Sequence, residues 1–183
     1  NSSVVIKNIN VSGSSSDDGI NIKNSVVEIS NSNFFDNSAD QIDLDFCTGK
    51  VFDNFFSVQE KEVLDPVITT DGLDISGGKV RIVGNTFRNF SDKAISVGEN
   101  SVIFLDKNNI SKSNIGVAVK DGSVAFVGFN YFDENENNVS LYIKKKFYRK
   151  PKVYYSDVNN EDPYMHYKNL MSNFNIYKTV PYE

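Results

Sequence analysis

Tryptophan is absent from this chain of 183 residues, and cysteine and histidine occur once each. Alanine and leucine are sparse, which argues against a helical bundle. Asn, Ser, Asp, Gly, Val and Ile crowd the first three quarters instead, a composition of strands joined by polar turns. The lone Cys47 has no partner for an internal disulfide, so no cross-link supports the fold. A thiol nucleophile at Cys47 would need an imidazole base, and the only histidine is His166 in the C-terminal stretch, with no companion His or Cys at ligand spacing. No apolar run approaches the roughly 20 residues that span a bilayer, and Asn1 opens no signal-peptide pattern. An excess of positive charge is also missing. The formal charge of −5 does not suit a general nucleic-acid binder, which must displace counterions from phosphates.

Charge is unevenly placed. Carboxylates dominate between Asp17 and Asp74, whereas Lys144, Lys145, Lys146, Arg149, Lys150 and Lys152 form a basic run near the C-terminus. That run, interleaved with Phe147 and Tyr148, suggests nucleic acid or an acidic glycan or, more simply, a solvated edge whose lysines guard a sheet end against pairing.

An internal repeat governs the rest. The segments beginning at Val4, Val27, Val80, Ile103 and Ala125 each carry apolar residues at their first, third and eighth places, and a degenerate copy runs from Val51 to Phe56. The third-place residues Ile6, Ile29, Val51, Ile82, Leu105 and Val127 lie 23, 22, 31, 23 and 22 residues apart. A second strand follows in each unit, at Ile20/Ile22, Ile42/Leu44, Leu73/Ile75, Ile95/Val97, Val117/Val119 and Leu141/Ile143. It records the same single insertion, roughly residues 57–68. Short alternating strands cannot bury an apolar face alone, but stacked copies share one core. Equivalent residues then sit about 4.8 Å apart on successive coils. One column reads Ile9, Ser32, Asn54, Asn85, Asn108 and Asn130, which predicts an Asn ladder at a turn.

In this pattern the chain resembles the right-handed parallel β-helix repeat family, the pectate-lyase-like superfamily. The expected fold is all-β: a right-handed parallel β-helix of about six coils over residues 1–146, with a non-repetitive cap or tail over 147–183 in the same domain. The tail is expected to hold a short helix near Tyr167 to Phe174. The superfamily includes lyases, hydrolases, epimerases, adhesins and passive stalks, so the resemblance leaves catalysis open.

Alternation turns Ile42, Leu44 and Phe46 inward and Asp43 and Asp45 outward, with Cys47 outside the core wall or at a turn. Asp43 and Asp74 share a column. The column two places before the strand reads Asp18, Asp40, Asp71, Lys93, Ile115 and Val139. Stacked carboxylates oppose folding, and a bound cation, a shared proton or solvent screening must offset this. Ca²⁺ is one candidate, with Asp43, Asp45 and Asp74 as ligands. Carboxyls one coil apart also span the spacings of glycoside hydrolysis. The segment Thr70-Asp-Gly-Leu-Asp-Ile-Ser76 resembles the Asp-Gly-apolar-Asp element of polygalacturonases, which implies polar-site roles for Asp71 and Asp74. Lys93-Ala-Ile-Ser stands where that branch carries an Asp pair, and its Gly-His-Gly and Arg-Ile-Lys elements are absent.

Glu99 is expected over Asp121, and Lys120 over Lys144. A row of Lys93, Lys120 and Lys144 could hold a uronate carboxylate while a neighbouring group handles its proton. The expected catalytic set is therefore Asp43, Asp74, Lys93, Glu99 and Lys120, with Asp40, Asp71, Asp121 and Lys144 binding substrate. Two functional classes remain. One binds or processes an acidic polysaccharide along this face; the other is a non-catalytic spacer or interaction domain, with or without calcium. Because the repeat is already running at Val4, the chain is expected to be part of a longer polypeptide. Coils with Lys-Ala-Ile-Ser-Val-Gly-Glu and Val-Lys-Asp-Gly-Ser resemble β-helical domains of large bacterial proteins, and an extracellular or cell-surface location is the expectation that goes with that likeness.

Overall fold

The computed structural model describes residues 2–15, 17–59 and 70–155. Each coil contributes three strands. The first coil has β1 (Ser2–Lys7), β2 (Asn10–Ser12) and β3 (Ile20–Lys23), and the second β4 (Ser25–Ser30), β5 (Asn33–Phe35) and β6 (Ile42–Asp45). The third has β7 (Thr48–Phe52), β8 (Phe55–Ser57) and β9 (Leu73–Ser76), and the fourth β10 (Lys79–Val83), β11 (Thr86–Arg88) and β12 (Lys93–Gly98). The fifth has β13 (Val102–Asp106), β14 (Asn109–Ser111) and β15 (Ile115–Lys120), and the sixth β16 (Val124–Val127), β17 (Tyr131–Asp133) and β18 (Asn137–Tyr142). A final strand, β19 (Lys152–Tyr155), pairs with β16. All pairing is between neighbouring coils and parallel, giving a seven-stranded sheet A (β1 to β19), a six-stranded sheet B (β2 to β17) and a six-stranded sheet C (β3 to β18). The chain is a parallel β-helix of about six turns.

The expected eight-place segment is in fact two strands. Its third and eighth places are five apart, which breaks alternation, and the break is the corner between sheets A and B. The Asn column occupies that corner. Ser32 N–H donates to Asn54 Oδ1 (3.1 Å), Asn54 N–H to Asn85 (3.0 Å), Asn85 N–H to Asn108 (2.9 Å) and Asn108 N–H to Asn130 (3.0 Å). The Nδ2 groups of Asn54, Asn85 and Asn108 in turn donate to the next Oδ1 and to backbone carbonyls, and that of Asn130 to carbonyls alone. Every polar atom so turned inward has a partner, as a buried corner requires.

In the middle coils the apolar columns are fully buried. Phe34, Phe56 and Phe87 stack at 5.1 and 4.5 Å, and Ile42, Leu73 and Ile95 line one wall of sheet C. Each such side chain contributes about 1.5–3 kcal/mol of burial. The degenerate third copy is explained by Gly49, which stands where Val27 and Val80 stand on neighbouring coils. Its φ is +137°, and a Cβ there would lie 2.0 Å from the Val27 carbonyl oxygen.

Four expectations are corrected. Phe46 turns outward and is 58% exposed, because a left-handed residue (φ 53°) ends β6 and interrupts alternation. Cys47 therefore enters the core, in a column of small residues with Ser25, Gly78, Ser101 and Ser123, and its thiol lies against the Ile22 carbonyl at 3.3 Å. The last coil is shifted by two places: Val117 pairs with Val139 and Val119 with Leu141, so Lys120 stands over Tyr142 rather than Lys144, and Ile115 over Asn137 rather than Val139. The repeat also does not stop at Phe147, since β19 resumes it. His166, the expected helix near 167–174 and most of the insertion lie outside the described residues.

Candidate functional site

The outer face of sheet C, with the corner that precedes it, gathers most of the ionisable groups expected there. At the corner a carboxylate column plays the part that asparagine plays at the other. Asp18 Oδ1 accepts the Asp40 N–H (3.0 Å), Asp40 Oδ1 the Asp71 N–H (2.9 Å) and Asp71 Oδ1 the Lys93 N–H (3.1 Å). Lys93 ends the column by folding its ammonium back onto Asp71, at 3.2 and 3.4 Å from the two oxygens, and onto Asp92.

Three residues along the strand, Asp43 and Asp74 pair across neighbouring coils, with Asn21 and Ser96 on either side. Asn21 Nδ2 donates to Asp43 Oδ2 at 2.5 Å. Oxygens of Asp40, Asp71 and Asp74 all lie within 4.8 Å of one another, and Asp74 Oδ1 is buried without a hydrogen-bond partner. A carboxylate that has an orphaned buried oxygen and lies among two further carboxylates is an unfavourable arrangement unless something else shares it.

The electrostatics follow from that crowding. Burial, reinforced by the Asp71 charge, raises the pKa of Asp40 to about 7. Burial, then Asp45 and Asp74, raises Asp43 to about 7 as well. Asp71 is also raised, by burial acting against the pull of Lys93. Burial works against the charge on Lys93, yet Asp71 and Asp92 outweigh it and hold its pKa above the ordinary lysine value. Carboxyls near 7 exist in both protonation states at neutral pH, the condition under which one group can give or take a proton.

The remaining expected residues divide. Lys120 is buried, lies across Gly98 and donates to Ser96 Oγ at 2.7 Å, which brings its ammonium beside the Asp74 column. Asp45 faces outward as expected but forms an ion pair with Lys23 at 2.9 Å; the compact carboxylate trio includes Asp40 and Asp71, and of the expected metal set only Asp74. Glu99 and Asp121 occupy equivalent left-handed turn positions at the far end of their strands. Glu99 pairs with Lys145, while the buried Asp121 accepts the N–H groups of Lys144 (2.7 Å) and Lys145 (2.8 Å), as a turn anchor. Lys144 itself is exposed and off the strand.

Sequence reasoning missed Asp92 and Tyr142. Asp92 precedes the column by one place, and only its ion pair with Lys93 reveals it. Tyr142 fills the place misassigned to Lys144. Its pKa is raised by burial and responds to Lys93, Asp92 and Asp71, which puts its hydroxyl within the field of the cluster.

Among the described residues no helix is long and apolar enough to cross a membrane. No protein-family model matches this chain, and no curated protein is significantly similar to it.

Proposed function

We propose that this chain is a carbohydrate-directed β-helical module, akin to the pectate-lyase-like proteins in kind, that binds an acidic polysaccharide along the outer face of sheet C. The observation that carries this reading is the unpartnered, buried Oδ1 of Asp74, a member of a carboxylate trio, beside the buried side chains of Lys93 and Lys120. Lys93 and Lys120 would hold sugar carboxylates by charge-assisted hydrogen bonds. Asp43 and Asp40, with pKa values near 7, supply the means to move a proton should the polymer be processed as well as held. A long, flat face of stacked rungs suits a linear polymer, and such a role fits an exported or surface polypeptide.

The test is a panel of uronate-containing and neutral glycans, assayed for binding and for chain cleavage against the unaltered protein and against Asp43→Ala and Asp74→Ala. Binding of uronate polymers that both substitutions weaken supports the proposal. Loss of stability alone, with no glycan bound by the parent, refutes it.

One observation favours a second reading, a non-catalytic spacer carrying calcium. Three carboxylate oxygens within 4.8 Å of one another, from a trio that includes Asp74 with its unpartnered Oδ1, are the donor type of a hard cation. A calcium titration followed by thermal melting separates the two. A rise in Tm that Asp74→Asn abolishes, without glycan binding, selects the spacer.

A further inference from the structure

The basic run lies in the segment between β18 and β19. No Asp or Glu occurs from 139 to 155. Lys144, Lys146, Arg149 and Lys150 are exposed, and among them Phe147 is 81% exposed, its ring tilted against Tyr148 at 4.6 Å. Ile143 and Leu141, 42% and 49% exposed, lie on the approach to the same loop. The loop is held in place: both the Lys144 and Lys145 amides are fixed on buried Asp121, Lys145 is tied to Glu99, and the Tyr148 N–H closes a turn on the Lys145 carbonyl at 3.0 Å.

A built loop that presents a bare phenyl ring between cations asks two things of its partner: fixed negative charge for the ammonium and guanidinium groups, and an apolar interior for the ring. A polyanionic glycan or nucleic acid offers the first, and at most a flat face for the ring. The interface of an anionic bilayer offers both, with headgroups for the cations and acyl chains beneath for Phe147 and Ile143. We infer that this loop is a peripheral docking element for anionic lipid surfaces, independent of the glycan-binding face on sheet C.

The full chain is sedimented with vesicles of phosphatidylcholine alone or mixed with phosphatidylserine, at low and high salt. Binding is expected only to the mixed vesicles, and is expected to fall with salt. Phe147→Ala should weaken partitioning about tenfold, the loss of one buried aromatic ring. The triple charge reversal Lys146→Glu, Arg149→Glu, Lys150→Glu should abolish it. All these residues are exposed, so unchanged thermal melting shows that the variants remain folded. In a Phe147→Trp variant the indole emission should shift to the blue on the mixed vesicles. Three results overturn the inference: no binding to the mixed vesicles, equal binding to phosphatidylcholine alone, or binding without an emission shift. A uronate polymer that binds this loop while vesicles do not would assign the cations to glycan instead.

Discussion

The two polar corners of this β-helix solve one problem with different chemistry. At the corner between sheets A and B, Asn54, Asn85, Asn108 and Asn130 pass hydrogen bonds from coil to coil, each later side chain accepting from the coil before it. At the corner before sheet C, Asp18, Asp40 and Asp71 do so in the opposite sense, each earlier side chain accepting from the coil after it. An amide both donates and accepts, so the first ladder closes on itself and leaves no charge. A carboxylate only accepts, so the second stacks like charges, and burial together with that crowding raises the pKa values of Asp40 and Asp71. Asparagine would have served the backbone equally well at Asp40. Aspartate in that place adds a charge that the turn itself does not require.

Exchanging the two chemistries should have the largest effect. Asn85→Asp would set a carboxylate against the carbonyls of Val51 and Val83 and against Asn108 Oδ1, all of which now accept from Asn85 Nδ2. A loss of about 3–5 kcal/mol in denaturant unfolding is expected. Next in size is pH. Asp40 and Asp43 have folded-state pKa values above their ordinary 3.8, so their contribution is full below about that value and is lost as pH rises through about 7. Stability should therefore fall over this window. The fall should be on the order of 1–2 kcal/mol once solvent screening is allowed for.

The reciprocal swap, Asp40→Asn, keeps the acceptor for the Asp71 amide and removes a charge. It should gain on the order of 1 kcal/mol above about pH 7 and nothing in acid, flattening the pH profile. Smallest of all, Lys144→Ala should change stability by less than about 0.5 kcal/mol and leave uronate binding intact, because only its backbone amide is engaged. Lys120→Gln should weaken that binding, and the pair of results distinguishes the sheet face from the loop beyond it.

Most of the fold was legible because a period of 22 or 23 residues with one insertion fixes which side chains share a wall, and Ile42, Leu73 and Ile95 do share one. The pairing of Asp43 with Asp74 and the Asp40, Asp71, Lys93 column followed from the same register. What alternation could not convey was where it stops. The left-handed turn at Phe46 sent that ring out and Cys47 in. At the last coil Val139, Leu141 and Ile143 alternate without a break, so two registers fitted equally well. Inter-coil pairing chose the one that puts Tyr142 beside the cluster. Hydrogen-bond direction, which separates the two corners, has no trace in residue type, since it depends on which coil each side chain leans toward.

Crowding of Asp40 with Asp71 at the corner before sheet C, and of Asp43 with Asp74 on the strand beside it, puts this face under an electrostatic tension that the asparagine corner lacks. Titration of the Asp40 and Asp43 side-chain carboxyl carbons by NMR tests it directly. Midpoints close to 7 for both are the predicted result; midpoints near the ordinary 3.8 would contradict it.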